Sequence, residues 1–146
     1  MQKRKNITTI YIITAFFLLL TSCTPTADSI NKKTPSECSG VIRATERYWQ
    51  IYHEVKEQPK KGLEFSKELK KIKIPSAMLE QQGRLIYLVE DEFGCWSVKD
   101  HYHCSDLERE RREFIRSMRY FWYIHLPREL SACEPYLENL YNVNTR

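Results

Sequence analysis

Apolar side chains recur at helical spacing through most of this chain. Cys38, Val41, Ile42, Thr45, Tyr48, Trp49, Tyr52 and Val55 follow one another at steps of three and four, with Glu46, Arg47, His53, Glu54 and Lys56 mostly on the opposite side. That period puts them on one helix face and predicts a first helix over residues 37–57. Pro59 and Gly62 then break the pattern, and Leu63, Leu69 and Ile72 among many lysines predict a short second helix. A third opens at Pro75 and Ser76, carries Met78, Gln82, Leu85, Ile86, Val89 and Phe93, and is expected to end at Gly94. The run from Cys95 to Cys104 is too irregular for a helix. Ser105 and Glu108 have the spacing of a capping box, so a fourth helix should start there, striped by Leu107, Arg111, Phe114, Ile115, Met118, Phe121, Trp122 and His125 and stopped by Pro127. Leu126, Leu130, Cys133, Leu137, Leu140 and Tyr141 mark a last helix, in which Pro135 implies either a start near Ser131 or a kink. The expectation is an all-α bundle of four to five helices, with no internal repeat.

The first 36 residues read differently. Lys3, Arg4 and Lys5 precede an uncharged apolar run of 14 residues ending at Leu20, which as a helix reaches roughly 21 Å, short of the ~30 Å hydrocarbon layer. This is the layout of an export signal. Leu20-Thr21-Ser22-Cys23 resembles the lipobox of bacterial lipoproteins. The resemblance implies fatty acylation of Cys23 and cleavage before it, leaving residues 1–22 as signal peptide and anchoring the mature chain to a membrane by lipid. Thr24, not Asp, follows Cys23, as in lipoproteins sorted to the outer membrane of Gram-negative cells; in a Gram-positive cell the protein would sit on the outer face of its single membrane. Residues 23–36 are rich in Thr, Pro, Ser, Asn and Lys and read as a flexible tether of up to roughly 40 Å, followed by a helical domain over residues 37–146.

Charge and cysteines sharpen this picture. The formal charge of +4 falls to +1 once Lys3, Arg4 and Lys5 are removed, so the basic balance of the whole chain gives no support to nucleic-acid binding. Cys38, Cys95, Cys104 and Cys133 remain beside Cys23, an even number in a chain bound for an oxidising compartment, and two disulfides are expected. Spacing alone leaves three pairings open. If successive helices alternate in direction, Cys95 meets Cys104 at one end of the bundle and Cys38 meets Cys133 at the other.

Candidate chemistry is sparse. Cys95, His101, His103 and Cys104 include ligand types that suit zinc or copper, but oxidised cysteines offer no thiolate, and neither a metal nor another cofactor is expected. Glu90, Asp91 and Glu92 are neighbours that diverge on a helix and read as a solvated helix end rather than an acid and base pair. No nucleophile elbow, glycine-rich phosphate loop or His-Glu-x-x-His is present, so catalysis is not expected. Tyr120, Phe121, Trp122 and Tyr123 point all round a helix at 100° per residue. Either the fourth helix is central or it shows an aromatic surface that a partner covers. Arg109, Arg111, Arg112, Arg116 and Arg119 alternate with Glu108, Glu110 and Glu113 beside it, and arginine next to aromatics is the composition of interface hot spots. Arg119, Tyr120, Trp122 and Tyr123 are the candidate contacts with an envelope protein. A lipid anchor on a small disulfide-bonded helical bundle is similar in layout to the helical pilotins, which escort secretin subunits to the outer membrane. A plasmid or phage lipoprotein that excludes competing DNA, a periplasmic enzyme or enzyme inhibitor, and a metal-binding lipoprotein are the alternatives.

Overall fold

A computed structural model describes residues 35–98 and 104–146. Five helices follow in order: α1 (Ser39–Glu57), α2 (Gly62–Leu69), α3 (Leu79–Ser97), α4 (Leu107–Tyr123) and α5 (Glu134–Asn144), with no strand among the described residues. The all-α bundle is the architecture that the periodicity predicts.

Short 3₁₀ turns lead into every helix, and three share one construction. Pro35, Pro75 and Pro127 are extended, with ψ of 138°, 148° and 147°, and each accepts a hydrogen bond from the amide three residues on: Cys38 at 3.0 Å, Met78 at 2.9 Å and Leu130 at 2.9 Å. Proline suits this place because its ring sets φ and it has no amide proton to leave unpaired. These turns displace the expected starts. α1 begins at Ser39 rather than residue 37, and α5 at Glu134 rather than Ser131, with Pro135 in its first turn and no kink needed. The capping box expected at Ser105 and Glu108 does not form. Cys104–Asp106 is a 3₁₀ turn tied back to Cys95, α4 begins after it, and Asp106, the residue just before α4, makes no side-chain cap.

Two further boundaries differ. Gly94 does not end α3, because no glycine here has positive φ and the helix runs on through Cys95 to Ser97, where the Val98 amide closes it on the Gly94 carbonyl at 2.9 Å. α4 ends at Tyr123, four residues before Pro127, and the amides of Ile124 and His125 both bond to the Tyr120 carbonyl.

Successive helices alternate in direction. The sulfurs of Cys38 and Cys133 are bonded at one end and those of Cys95 and Cys104 at the other, which is the pairing that alternation predicts. α1 and α5 therefore run parallel, as the 3.1 Å contact of His53 Nε2 with Asn144 Oδ1 also requires. Trp49 is the hub between them, 1 % exposed. Its ring meets Phe114 of α4 at 5.5 Å, Tyr141 of α5 at 6.1 Å and Tyr52 of its own helix at 5.7 Å, each near edge-on, the geometry in which aromatic quadrupoles attract.

α3 occupies the middle. The Gln82 amide donates to the Leu69 carbonyl of α2 at 2.7 Å, and the buried Gln81 amide donates to the Ser117 carbonyl of α4 at 3.1 Å. α2 crosses α3 so closely that a Cβ on Gly62 would overlap the Val89 carbonyl oxygen and lie 2.8 Å from Phe93 Cβ. Gly62, expected as a breaker, instead opens α2 as the residue that permits this approach.

Gly62→Ala should cost at least the ~1–3 kcal/mol of overpacking, whereas Gly83→Ala, where an added Cβ meets nothing within 4 Å, should stabilise by about 0.5–1 kcal/mol; urea unfolding of the two variants checks the opposite signs. By chain entropy, removing Cys38–Cys133, with its separation of 95, should cost about 4–5 kcal/mol and removing Cys95–Cys104, with its separation of 9, about 2.5–3 kcal/mol. Paired Cys→Ser variants in thermal unfolding should show that order.

Candidate partner-binding face

The fourth helix is not central. α4 turns Phe114, Ser117, Met118 and Phe121 inward, all buried; Phe114 meets Trp49 and Tyr52 of α1, the Ser117 carbonyl accepts from Gln81 of α3, and Trp122 lies against α5, its ring 6.1 Å from that of Tyr141. Its remaining side faces solvent. There the arginines and glutamates form local ion pairs: Arg116 with Glu113 at 3.1 Å, Arg112 with Glu108 at 3.6 Å, and Arg109 with Asp106 at 3.2 Å. Such exposed pairs contribute little to stability, of order 0–1 kcal/mol each.

Arg111 behaves differently. Its guanidinium turns inward to the carboxylate of Glu92, which is 5 % exposed, and also lies 3.6 Å from Glu108. A charge as buried as Glu92 is tolerable only with such a partner. Expected as part of a solvated acidic end, Glu92 is instead a buried link from α3 to α4. Glu90, two residues away and so rotated by about 200°, reaches the other side of the bundle, where it accepts from Ser66 Oγ at 2.5 Å and Lys70 Nζ at 2.9 Å. The acidic run is thus divided between two interfaces. Its members diverge, as helix geometry requires.

At the C-terminal end of α4 the aromatic run divides. Phe121 is fully buried and Trp122 half-buried, while Tyr120, Tyr123 and Ile124 are 43, 65 and 55 % exposed. Arg119, also exposed, has no carboxylate partner among the described residues. Of the four candidate contacts, the structure places Arg119, Tyr120 and Tyr123 outside and sets Trp122 into the seam with α5. Ile124 extends the patch, a residue that sequence reasoning missed because Pro127 appeared to end the helix beyond it. Leu79, 58 % exposed, joins the same end of the bundle, since α3 runs antiparallel to α4. It was missed because its neighbour Met78 carries the stripe.

The sulfurs of Cys95 and Cys104 are bonded to each other and leave no thiolate for a metal; His101 and His103 lie outside the described residues, as do Cys23 and the leader. Among the described residues no three His, Cys, Asp or Glu side chains come together as a metal site, and no helix is long and apolar enough to cross a membrane. Burial raises the hydroxyls of Tyr48 and Tyr52, and hydrogen bonds from Arg47 and Ser66 hold Glu68 and Glu90 below the ordinary carboxylate range. No protein-family model, curated protein or solved structure matches the chain.

Because Glu68 and Glu90 titrate lower in the folded chain, their contribution is present above the ordinary carboxylate range and is lost as pH falls through their lowered values. Unfolding midpoints should therefore drop on acidification, and the gap between wild type and the Glu68→Gln, Glu90→Gln double variant, followed by circular dichroism, should close as pH falls.

Proposed function

We propose that this chain is a lipid-anchored envelope protein whose helical domain binds another envelope protein through the outer end of α4. The observation that carries the reading is the continuous exposure of Tyr120, Tyr123 and Ile124 beside the uncompensated cation of Arg119. Water solvates such a surface poorly, and aromatic rings with an adjacent guanidinium are the groups that most often dominate association energy. The surface is held rigidly, since Phe121 below it is fully buried and Trp122 beside it is braced on Tyr141. A preformed surface loses little freedom on binding. A pilotin-like assembly factor or an exclusion lipoprotein fits this description, each working by capture of a protein at the membrane.

Photo-crosslinking in cells from position 123 should give one reproducible partner, and from the exposed Asn139 on α5 none. Tyr123→Ala should weaken capture about thirtyfold, the scale of a ~2 kcal/mol hot spot, with no change in the unfolding midpoint. Trp122→Ala should lower stability as well, by about 1–3 kcal/mol, because it empties the seam against Tyr141. An absence of reproducible crosslinks, together with turnover of a substrate or inhibition of a cell-wall hydrolase by the purified protein, would refute the reading.

A further inference from the structure

The charge of this domain is unevenly placed. Residues 56–73 hold seven lysines against three glutamates, a balance of +4, whereas residues 23–146 together balance at +1, so the rest of them stand at −3. The surplus lies on one edge. α2 buries Gly62, Phe65, Ser66 and Leu69 against the bundle, and on its outward side Lys60, Glu64, Lys67 and Lys71 follow at steps of three and four, all exposed. Leu63 stands among them, 43 % exposed. The neighbouring acids are committed elsewhere: Glu68 grips Arg47 through two bonds of 2.6 and 2.8 Å, and Glu90 takes Ser66 and Lys70. Lys60, Lys61, Lys67, Lys71 and Lys73 have no carboxylate partner among the described residues. Glu64 on that outward side and Glu57 at the end of α1, both exposed, are the nearby acids with no cation partner among the described residues.

Unpaired lysines around an exposed leucine are suited to a lipid–water interface, where methylene stems lie on apolar surface and ammonium groups meet anionic headgroups. Pro35 lies twelve positions after Cys23, at most ~40 Å of chain. That span keeps the domain near a bilayer carrying the anchor without choosing which side of it turns to the lipid. The charge asymmetry makes the choice. We propose that the lysine edge of α2 lies against anionic phospholipid headgroups of the membrane that holds the anchor, turning the α4 face, on the far side of α3, away from that membrane and toward a partner. The proposal rests on the reading of Cys23 as lipidated.

The test uses the mature chain in vesicles of phosphatidylcholine alone and of phosphatidylcholine with phosphatidylglycerol, with a water-soluble amine reagent and peptide mapping to give the modification rate of each lysine. Phosphatidylglycerol should slow Lys60, Lys67 and Lys71 about fivefold, the preference expected for a lysine near an anionic surface, and high salt should abolish the difference. A tyrosine reagent should modify Tyr123 equally in both. The triple variant K60Q/K67Q/K71Q, altered at exposed positions only, should lose the protection of Lys61 and Lys73 as well. Equal lysine rates in the two vesicles, or protection of Tyr123 in place of the lysines, overturns the proposal. The intact mass of the same sample reports acylation separately: an unmodified Cys23 refutes the anchor, while the lysine rates on added vesicles still decide the edge.

Discussion

The arrangement depends on α3 being sheathed on two sides. Glu90 and Glu92, two residues apart and pointing in nearly opposite directions, reach to α2 through Ser66 and Lys70 and to α4 through Arg111. Gln82 and Gln81 repeat the device nearer the start of the same helix, one amide bonding to the carbonyl of Leu69 and the other to that of Ser117. A purely apolar α3 would pack as tightly, but greasy surfaces slide and rotate against one another at small cost. Four polar side chains with committed partners give the two flanking helices a definite register. The lysine edge and the aromatic end are consequently held on opposite sides of one helix.

This division also explains what was legible in the sequence. The five helices and their alternation could be read from spacing because every element has one apolar stripe and a short connection. The stripe of α3 was misjudged for the same reason that α3 matters: Gln81 and Glu92 are buried, and a hydrophobic pattern has no means of showing that an amide or a carboxylate is enclosed by a partner from another helix. In the sequence Gly62 and Gly94 both read as punctuation. Glycine ends a helix when the chain needs a left-handed residue, and neither position does; at Gly62 what matters is the Val89 carbonyl pressed against the missing side chain.

The candidate surface was half visible. Four consecutive aromatic residues cannot share one buried face, so an exposed portion or a central position followed from geometry alone. Which rings turn outward depended on where α4 meets α5, and this is set by Tyr141, nearly twenty residues further on. The lysines of α2 were visible as a count, but their meaning was not. Only when Glu68 and Glu90 are seen to be engaged by Arg47, Ser66 and Lys70 does a mixed-charge segment become an uncompensated one.

The bond between Cys38 and Cys133 has a mechanical side. It encloses residues 39–132 in a covalent loop that opens three residues after Pro35. Tension applied to the chain before Pro35, and resisted by whatever grips the outer end of α4, enters this loop at once and divides between two strands instead of peeling α1 from the bundle turn by turn. Pulled instead between its two termini, the domain would transmit the load across the sulfurs and leave the enclosed helices slack, so that only the short stretches before Cys38 and after Cys133 could lengthen.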